Sequence, residues 1–197
     1  MTSDQKALSQ WMTDPALAAR IVNWALKPDD KPKRALEPSA GEGSFVGPLV
    51  KALGAENVVA VEIDTPLSCR LQSQYSGVQV VNQDFTGWVP DGALFDLAVM
   101  NSPYEGGQDT DHLSHALEVA RRVVAITRTN ILHGQKRFDR IWSKAYLRRK
   151  INFIDRPRFS GSDGSPRHDF CVIEVSKEAL LDRYGVQHLT AEWWRAR

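Results

Sequence analysis

The tetrapeptide Asn101-Ser102-Pro103-Tyr104 contains the residues of this chain that point most directly to a reaction. It follows the apolar run 95–100, which has the length and composition of a buried parallel strand. A strand that ends in this way brings an amide oxygen, a backbone carbonyl and an aromatic ring to one point of the sheet edge. The oxygens of Asn101 and Ser102 could accept the two hydrogens of an exocyclic aromatic amine and favour the pyramidal geometry from which its lone pair attacks. A purely structural turn is the alternative interpretation.

A glycine turn lies upstream of this motif. The segment Glu37-Pro38-Ser39-Ala40-Gly41-Glu42-Gly43 follows a short strand at 34–37 and leads into a helix. Ligands of open parallel sheets bind beyond the carboxyl ends of strands, where Gly41 and Gly43 could let the backbone approach a ligand closely. A carboxylate at Glu37 would repel a pyrophosphate but attract the charged amino group of a methionine moiety. Tight turns between strand and helix also use glycine for structural reasons alone, so a lone Gly-x-Gly is weak evidence.

Acidic residues also end the next two predicted strands. Glu62 stands about 20 positions after the glycine turn, where one carboxylate can accept hydrogen bonds from both hydroxyls of a ribose, as in NAD-binding folds. Asp84 follows the third strand and precedes Phe85. Each acid alone is more typical of a solvated loop. We expect His112 and His115 to lie on a helix surface rather than to bind a metal.

The order of predicted elements shows how these residues could meet. Strands alternate with helices along the chain, which predicts right-handed crossovers and a doubly wound parallel α/β sheet. A Gly/Ser/Pro loop separates the last two strands, which could pair as a hairpin at one edge. No repeat or linker interrupts the pattern, so we expect a single domain over 1–197. The predicted strands are 34–37, 58–62, 78–81, 94–100, 123–127, 151–154 and 169–175, and the predicted helices are 15–26, 43–53, 66–74, 111–122 and 139–150.

Together these motifs resemble the S-adenosylmethionine (SAM)-dependent amino-methyltransferases of the N6-adenine type. The glycine motif precedes Asn-Ser-Pro-Tyr, as in the gamma arrangement of that family, whose members usually carry Asn/Asp-Pro-Pro-aromatic; here Ser102 replaces the first proline. The resemblance implies one compact class I domain without a recognition domain. It also implies a seven-stranded Rossmann-like sheet with a terminal hairpin edge, and SAM as the cofactor.

The resemblance also implies roles for individual residues. Asp84 would take the adenine amino group of SAM, with Phe85 covering the ring, and the segment Met12–Pro15 would lie over the methionine. Tyr104 would stack on the target base and Phe159 would cover its other face, although Phe159 could equally be a core residue. The predicted cofactor-binding residues are Thr13, Glu37, Gly41, Gly43, Glu62, Asp84 and Phe85, and the predicted catalytic residues are Asn101, Ser102, Pro103 and Tyr104; no metal is expected.

The charge of the chain is distributed unevenly. The whole chain has a net charge of +1, but 121–168 carries 13 Lys and Arg against 3 Asp and Glu. Such an excess attracts polyanions, so we expect a nucleic-acid partner, DNA above all. Arg128, Arg156 and Arg158 fall in predicted loops and are the expected substrate contacts. The alternative is that the basic residues of 144–150 form the solvated face of a helix.

The sequence therefore predicts methylation of adenine N6 in DNA. Adenine in RNA, cytosine N4 and a glutamine side-chain amide are the alternative targets. A methyltransferase-fold module that binds nucleic acid without catalysis is the alternative of another class. Recognition would come from loops, a partner or a second subunit, as in a homodimer. Neither a signal pattern nor an apolar stretch of about 20 residues is present, so we expect a cytoplasmic protein with no membrane contact and two buried, reduced cysteines.

Overall fold

The computed structural model describes residues 11–26, 32–160, 168–179 and 189–196. Its main helices are α1 (Pro15–Ala25), α2 (Val46–Leu53), α3 (Thr65–Gln74) and α4 (Gln108–Val119). Its strands are β1 (Met12–Thr13), β2 (Ala35–Glu37), β3 (Val58–Val61), β4 (Gln79–Val81), β5 (Phe95–Met100), β6 (Ala120–Arg128), β7 (Tyr146–Phe153), β8 (Phe159–Ser160), β9 (Phe170–Ser176) and β10 (Thr190–Trp194). Short helical turns cover 129–142.

The central sheet has the strand order β10-β7-β9-β6-β5-β2-β3-β4. Strands β2 to β6 pair in parallel, whereas β9 is antiparallel to both β6 and β7. The predicted doubly wound α/β fold is confirmed, as is the antiparallel pairing of β7 with β9. The predicted count of seven strands was wrong, because β10 adds an eighth strand in parallel to β7. The β7–β9 pair is therefore not the edge of the sheet.

The described helices cover both faces of the sheet. Helices α1, α2 and α3 contribute to the apolar cluster on one face, and α4 contributes to the cluster on the other. Strand β3 is buried at all four positions and β9 at all seven, because both strands lie inside a sheet whose two faces are covered. Helix α1 begins as predicted, because the Asp14 side chain accepts hydrogen bonds from the backbone N–H groups of Ala16 and Leu17.

The predicted helix over 139–150 was wrong in its second half, which forms β7. Arg149 lies on this strand, where its Nε donates to Glu174 at 2.7 Å and its guanidinium lies 3.8 Å from the Trp24 ring centroid. These long-range contacts outweigh a local preference for helix. The helix predicted to reach residue 122 ends at Val119, because Arg122 belongs to β6 and donates to the Ala25 carbonyl at 2.9 Å.

A second, two-stranded sheet joins distant parts of the chain. Strand β1 pairs antiparallel with β8, with Thr13 opposite Phe159. This pairing brings the segment before α1 against the segment after β7. Both segments were predicted to contribute to the site, and the structure places them side by side.

The two cysteines differ in their exposure. Both cysteines are free; Cys171 is buried as predicted, but Cys69 is exposed on α3, so the expected pair of buried thiols was wrong. Burial raises the pKa of the Cys171 thiol to about 11.

Across the described ranges, each helix is too short or too polar to cross a membrane.

Candidate active site

A cavity of about 270 Å³ lies beyond the carboxyl ends of β2, β3, β4 and β5. This is the position where open α/β sheets bind ligands. Six residues that the sequence predicted for the site line it: Gly41, Glu62, Asp84, Phe85, Asn101 and Pro103. Met12, from the segment predicted to lie over the methionine, also lines it, and the lining residues that the sequence did not predict for the site include Trp11, Gln108, Asp111 and His112. The cavity thus unites the ends of four successive strands.

The two glycines of the turn face different neighbours. Gly41 lines the cavity with a φ of 53°, and a β-carbon there would lie 2.6 Å from Met12 Sδ. Gly43 has a φ of 82°, and a β-carbon there would lie 2.7 Å from Leu71 Cδ2 on α3. Both positions therefore need glycine for their backbone conformation and for close packing. Gly43 borders α3, whereas Gly41 borders the cavity.

Glu62 holds the glycine turn in place. Its two carboxylate oxygens accept hydrogen bonds from the backbone N–H groups of Gly41, at 2.6 Å, and Asp64, at 2.8 Å. Desolvation raises the pKa of this buried carboxyl above its usual range, against the opposing effect of those two bonds. Each carboxylate oxygen has two lone pairs, so Glu62 retains acceptor capacity towards the cavity.

Glu37 is buried behind the glycine turn. Its Oε2 has no hydrogen-bond partner among the described residues. Burial, and then the charge of Glu62, raise the pKa of this carboxyl well above its usual range, while the backbone N–H groups of Phe45 and Val46 lower it. A buried carboxyl oxygen without a partner is suited to a cationic or N–H donor group. Glu37 stands behind the cavity wall rather than on it.

Asp84 begins a helical turn at the end of β4. Its Oδ1 accepts hydrogen bonds from the backbone N–H and the hydroxyl of Thr86, at 2.9 and 2.8 Å. The backbone bond from Thr86 is the main reason why the pKa of Asp84 is lowered. Because both bonds use Oδ1, Oδ2 is available to a ligand in the cavity. Phe85, which is buried, lines the cavity next to it.

His112 lies in the cavity wall, so the prediction that it belongs to a helix surface was wrong. It is buried, and its Nδ1 lies 3.0 Å from the Gln108 carbonyl oxygen. Its ring centroid lies 5.7 Å from that of Phe85. Desolvation lowers the pKa of His112, which favours the neutral ring. The segment 108–115 is largely polar, so the sequence did not indicate that His112 is buried.

The amide of Asn101 is held from behind. Its Nδ2 donates to the Trp11 carbonyl oxygen at 2.6 Å and to Thr13 Oγ1 at 3.0 Å. The Thr13 carbonyl in turn accepts a hydrogen bond from Ser44 Oγ at 2.8 Å. Thr13 therefore connects the glycine turn to the end of β5. The Oδ1 end of the Asn101 amide points the other way and accepts a hydrogen bond from the Tyr104 hydroxyl.

Tyr104 and Phe159 belong to an aromatic cluster that also contains Trp11 and Phe170. Tyr104 is 6% exposed and Phe159 is 3% exposed. Their ring centroids lie 6.5 Å apart with the planes inclined at 58°, and Phe170 contacts both rings. A base stacked between two rings needs parallel planes about 7 Å apart. A base can enter between Tyr104 and Phe159 only if the cluster opens.

The three predicted substrate-binding arginines differ in their surroundings. Arg128 donates to Asp109 at 2.9 Å and to the Tyr104 carbonyl at 2.5 Å, so it supports the tetrapeptide from within. Arg156 is half-exposed and forms an ion pair with Asp169 at 3.2 Å. Arg158 is exposed. Arg156 and Arg158 are thus exposed, whereas Arg128 is partly buried.

The basic segment meets acidic residues from other parts of the chain. Several of its cations form ion pairs: Arg122, Arg148 and Arg149 with Glu174, Arg128 with Asp109, Arg140 with Asp111, and Lys144 with Glu118. Within the described ranges, no ion pair is found for Lys136, Arg137, Lys150 or Arg158. The electrostatic field of the segment 121–168 is therefore weaker than its net charge suggests.

Comparison with known proteins supports the fold. No protein-family model matches the chain. Over 76 residues it is 36% identical to the Type II methyltransferase M.CvrRI of Paramecium bursaria Chlorella virus XZ-6E, a match that covers 39% of this chain and 20% of that relative. The chain therefore spans only a small part of this curated relative.

Several solved structures resemble most of this chain. PH1948 from Pyrococcus horikoshii has a TM-score of 0.68 at 18% identity, covering 86% of this chain and 87% of that one. The 23S rRNA methyltransferase ErmE has a TM-score of 0.61 at 23% identity, covering 89% and 73%. A SAM-dependent O-methyltransferase from Thermotoga maritima has a TM-score of 0.60 at 16% identity, covering 88% and 69%. The chain has the Rossmann-like fold of SAM-dependent methyltransferases.

Proposed function

We propose that this chain transfers a methyl group from SAM to the exocyclic N6 amino group of adenine in DNA. The observation that carries the proposal is the orientation of the Asn101 amide at the end of β5. Its Nδ2 is held by Trp11 and Thr13, so its Oδ1 is presented to hydrogen-bond donors next to the cavity. The family resemblance of the tetrapeptide supports the adenine amine as the target, and the partial match to a Type II methyltransferase supports methyl transfer.

SAM fits the acidic character of the cavity. Glu62 and Asp84 line it, and Glu37 lies behind it with an oxygen that lacks a hydrogen-bond partner among the described residues. Three carboxyl groups would oppose a pyrophosphate but suit a ligand that carries an ammonium group, ribose hydroxyls and an adenine amine. Bound SAM supplies an electrophilic methyl group. Glu37, Glu62 and Asp84 would hold it, with Gly41 and Phe85 along its sides.

The tetrapeptide would activate the target amine by accepting its hydrogens. Asn101 Oδ1 and the Ser102 backbone carbonyl would each accept one N–H bond, which favours the pyramidal amine. Burial raises the pKa of the Tyr104 hydroxyl well above its usual range, so this group stays protonated and acts as a donor. The mechanism needs no catalytic base with a shifted pKa. The proton that the amine loses would pass to solvent.

Adenine in RNA is the second candidate substrate. It is supported by the solved structures, since an rRNA methyltransferase shares this fold. Cytosine N4 offers a similar amine and remains an alternative target within the same mechanism. A non-catalytic binding module would not need the amide of Asn101 to be held by two acceptors. We therefore propose catalysis rather than binding alone.

The test is methyl transfer from tritiated SAM to separate pools of DNA, RNA and protein. We expect label in DNA, and we expect N6-methyladenine after digestion of that DNA to nucleosides. Label confined to RNA would indicate that the substrate is the second candidate, adenine in RNA, with the same mechanism. Label in protein alone, or no label from folded protein that binds SAM, would contradict the proposal.

A further inference from the structure

Phe138 is an exposed aromatic residue close to the candidate active site. All seven phenylalanines belong to the described part of the chain, and Phe138 is the exposed one, at 54%. The others are buried or half-buried and pack in the two cores or the aromatic cluster. A phenylalanine left in water contributes little to folding. Its ring is available to a ligand.

The exposure of Phe138 does not come from a loose loop. Its carbonyl accepts a hydrogen bond at 2.8 Å from the backbone N–H of Ser143, five residues later, which forms a turn of the π type. Ile141 in the same turn is fully buried, and Trp142 Nε1 donates to the Ile131 carbonyl at 2.9 Å. Single π turns are rare and occur often at functional sites. The turn therefore holds the Phe138 ring on the surface.

The same segment is attached to the rim of the cavity. Arg140 forms an ion pair with Asp111, which lines the cavity. Lys136 Nζ lies 3.5 Å from the point that a β-carbon at Gly107 would occupy. Gly107 adjoins Gln108, another residue of the cavity wall. An exposed cation and an exposed ring thus stand two residues apart beside the proposed methyl-transfer site.

We propose that Lys136 and Phe138 bind the nucleic-acid strand next to the target base. Phe138 would stack on an unpaired neighbouring base, and Lys136 would contact a phosphate. This inference rests on the proposed function. A flat ring beside a cation is the usual combination for sequence-tolerant binding of single strands. Lys136 has no ion pair within the described ranges, unlike Arg128 and Arg156, so its charge is available to a phosphate.

The test measures the affinity for a fluorescein-labelled single-stranded DNA of mixed sequence, about 20 nucleotides long, by anisotropy. We expect Phe138→Ala to weaken binding by about tenfold, and Phe138→Trp to retain it, since the larger ring can still stack. Tyr146→Ala is the matched control: Tyr146 is also exposed, but it begins β7 opposite Ser176, at the end of the sheet away from the cavity. It should leave the affinity unchanged. The same measurement with an RNA strand of the same sequence shows which nucleic acid is preferred.

Lys136→Ala should reduce the slope of log K against log salt by about one unit. Lys51→Ala, an exposed cation in the last turn of α2, should not change this slope. The melting temperatures of the variants show that each is folded.

The outcomes separate this inference from the proposed function. If the wild type binds the strand and transfers methyl groups but Phe138→Ala and Lys136→Ala behave as the wild type, the inference fails and the proposed function stands. Analytical sedimentation could instead show a wild-type dimer that Phe138→Ala dissociates, with the affinity for the strand unchanged. The surface around Phe138 would then bind a second copy of this chain, and the inference would also fail. If the wild type transfers no methyl group to any pool, the proposed function fails.

Discussion

The hydroxyl of Tyr104 donates a hydrogen bond to Asn101 Oδ1, the atom that we propose accepts a hydrogen of the target amine. The protein thus provides an internal donor at the position that the substrate must occupy. A target amine must share this oxygen with the hydroxyl or displace it. The ring of Tyr104, packed against Phe159 and Phe170, has to move at the same time if it is to stack on the base.

Tyr104→Phe removes this internal donor and keeps the ring. We expect turnover to change by no more than a few-fold, and the affinity for DNA to stay the same or increase, because the amine no longer competes with a hydroxyl. Loss of one buried hydrogen bond should lower stability by about 1 kcal/mol. Single-turnover kinetics and denaturant melts measure both effects. A hundredfold loss of turnover would show that the hydroxyl takes part in the reaction.

Thr13 is expected to act through the orientation of Asn101. Thr13→Val removes the acceptor of the 3.0 Å bond from Asn101 Nδ2 and should lower kcat about fivefold, equivalent to about 1 kcal/mol. Thr13→Ser keeps the hydroxyl and should restore kcat. KM for DNA should change little in both variants, because Thr13 is not proposed to touch DNA. Equal kcat values for the valine and serine variants would rule out this positioning role.

Asp84→Asn tests the adenine end of the cofactor site. The asparagine can still accept the two bonds from Thr86 through its oxygen, but its NH2 group then faces the adenine amine in place of Oδ2. We expect SAM affinity to fall at least tenfold, about 1.4 kcal/mol, with little change in melting temperature. Isothermal calorimetry measures the affinity. Unaltered binding of SAM would exclude Asp84 from the site.

Glu37→Gln should increase stability and weaken SAM binding. Because burial raises the pKa of Glu37, the folded state binds a proton more tightly than the unfolded chain does. The wild type therefore loses stability as the pH rises through and above the usual carboxyl range, and glutamine removes this loss. The stability gain of the variant should be small at pH 4 and larger at pH 8. Urea melts at both pH values, with SAM titrations at pH 8, test this; a gain that shrinks with rising pH would contradict it.

The central sheet could be predicted from the sequence because its strands are continuous apolar runs. The run 95–100 and the stretch that forms β9 are buried on both faces, so their composition alone identifies them. Strand β10 could not be identified in this way. It is short and partly exposed, and it is attached through Trp24, whose Nε1 donates to Glu192 at 2.8 Å across most of the chain length.

The charge pattern did not reveal which cations are paired within the structure. A local excess of cations predicted a nucleic-acid surface, but the acidic partners of these cations come from α4 and β9. Arg128 is the clearest case, since it binds Asp109 within the structure. The predicted strand ends indicated which residues meet, since Gly41, Glu62, Asp84 and Asn101 all line one cavity. The hydrogen bonds that these side chains already form within the protein depend on side-chain orientation. The periodicity of the sequence does not reveal that orientation.

The most direct test of the account compares Asn101→Ala with Ser102→Ala in methyl transfer from tritiated SAM to DNA. Ser102 Oγ has no hydrogen-bond partner among the described residues, and the proposal uses only its backbone carbonyl, so Ser102→Ala should keep nearly full activity. Asn101→Ala should lose about 30- to 1,000-fold in rate, equivalent to about 2 to 4 kcal/mol. Its SAM affinity by calorimetry should stay close to that of the wild type. Normal methylation of DNA by Asn101→Ala would contradict the account.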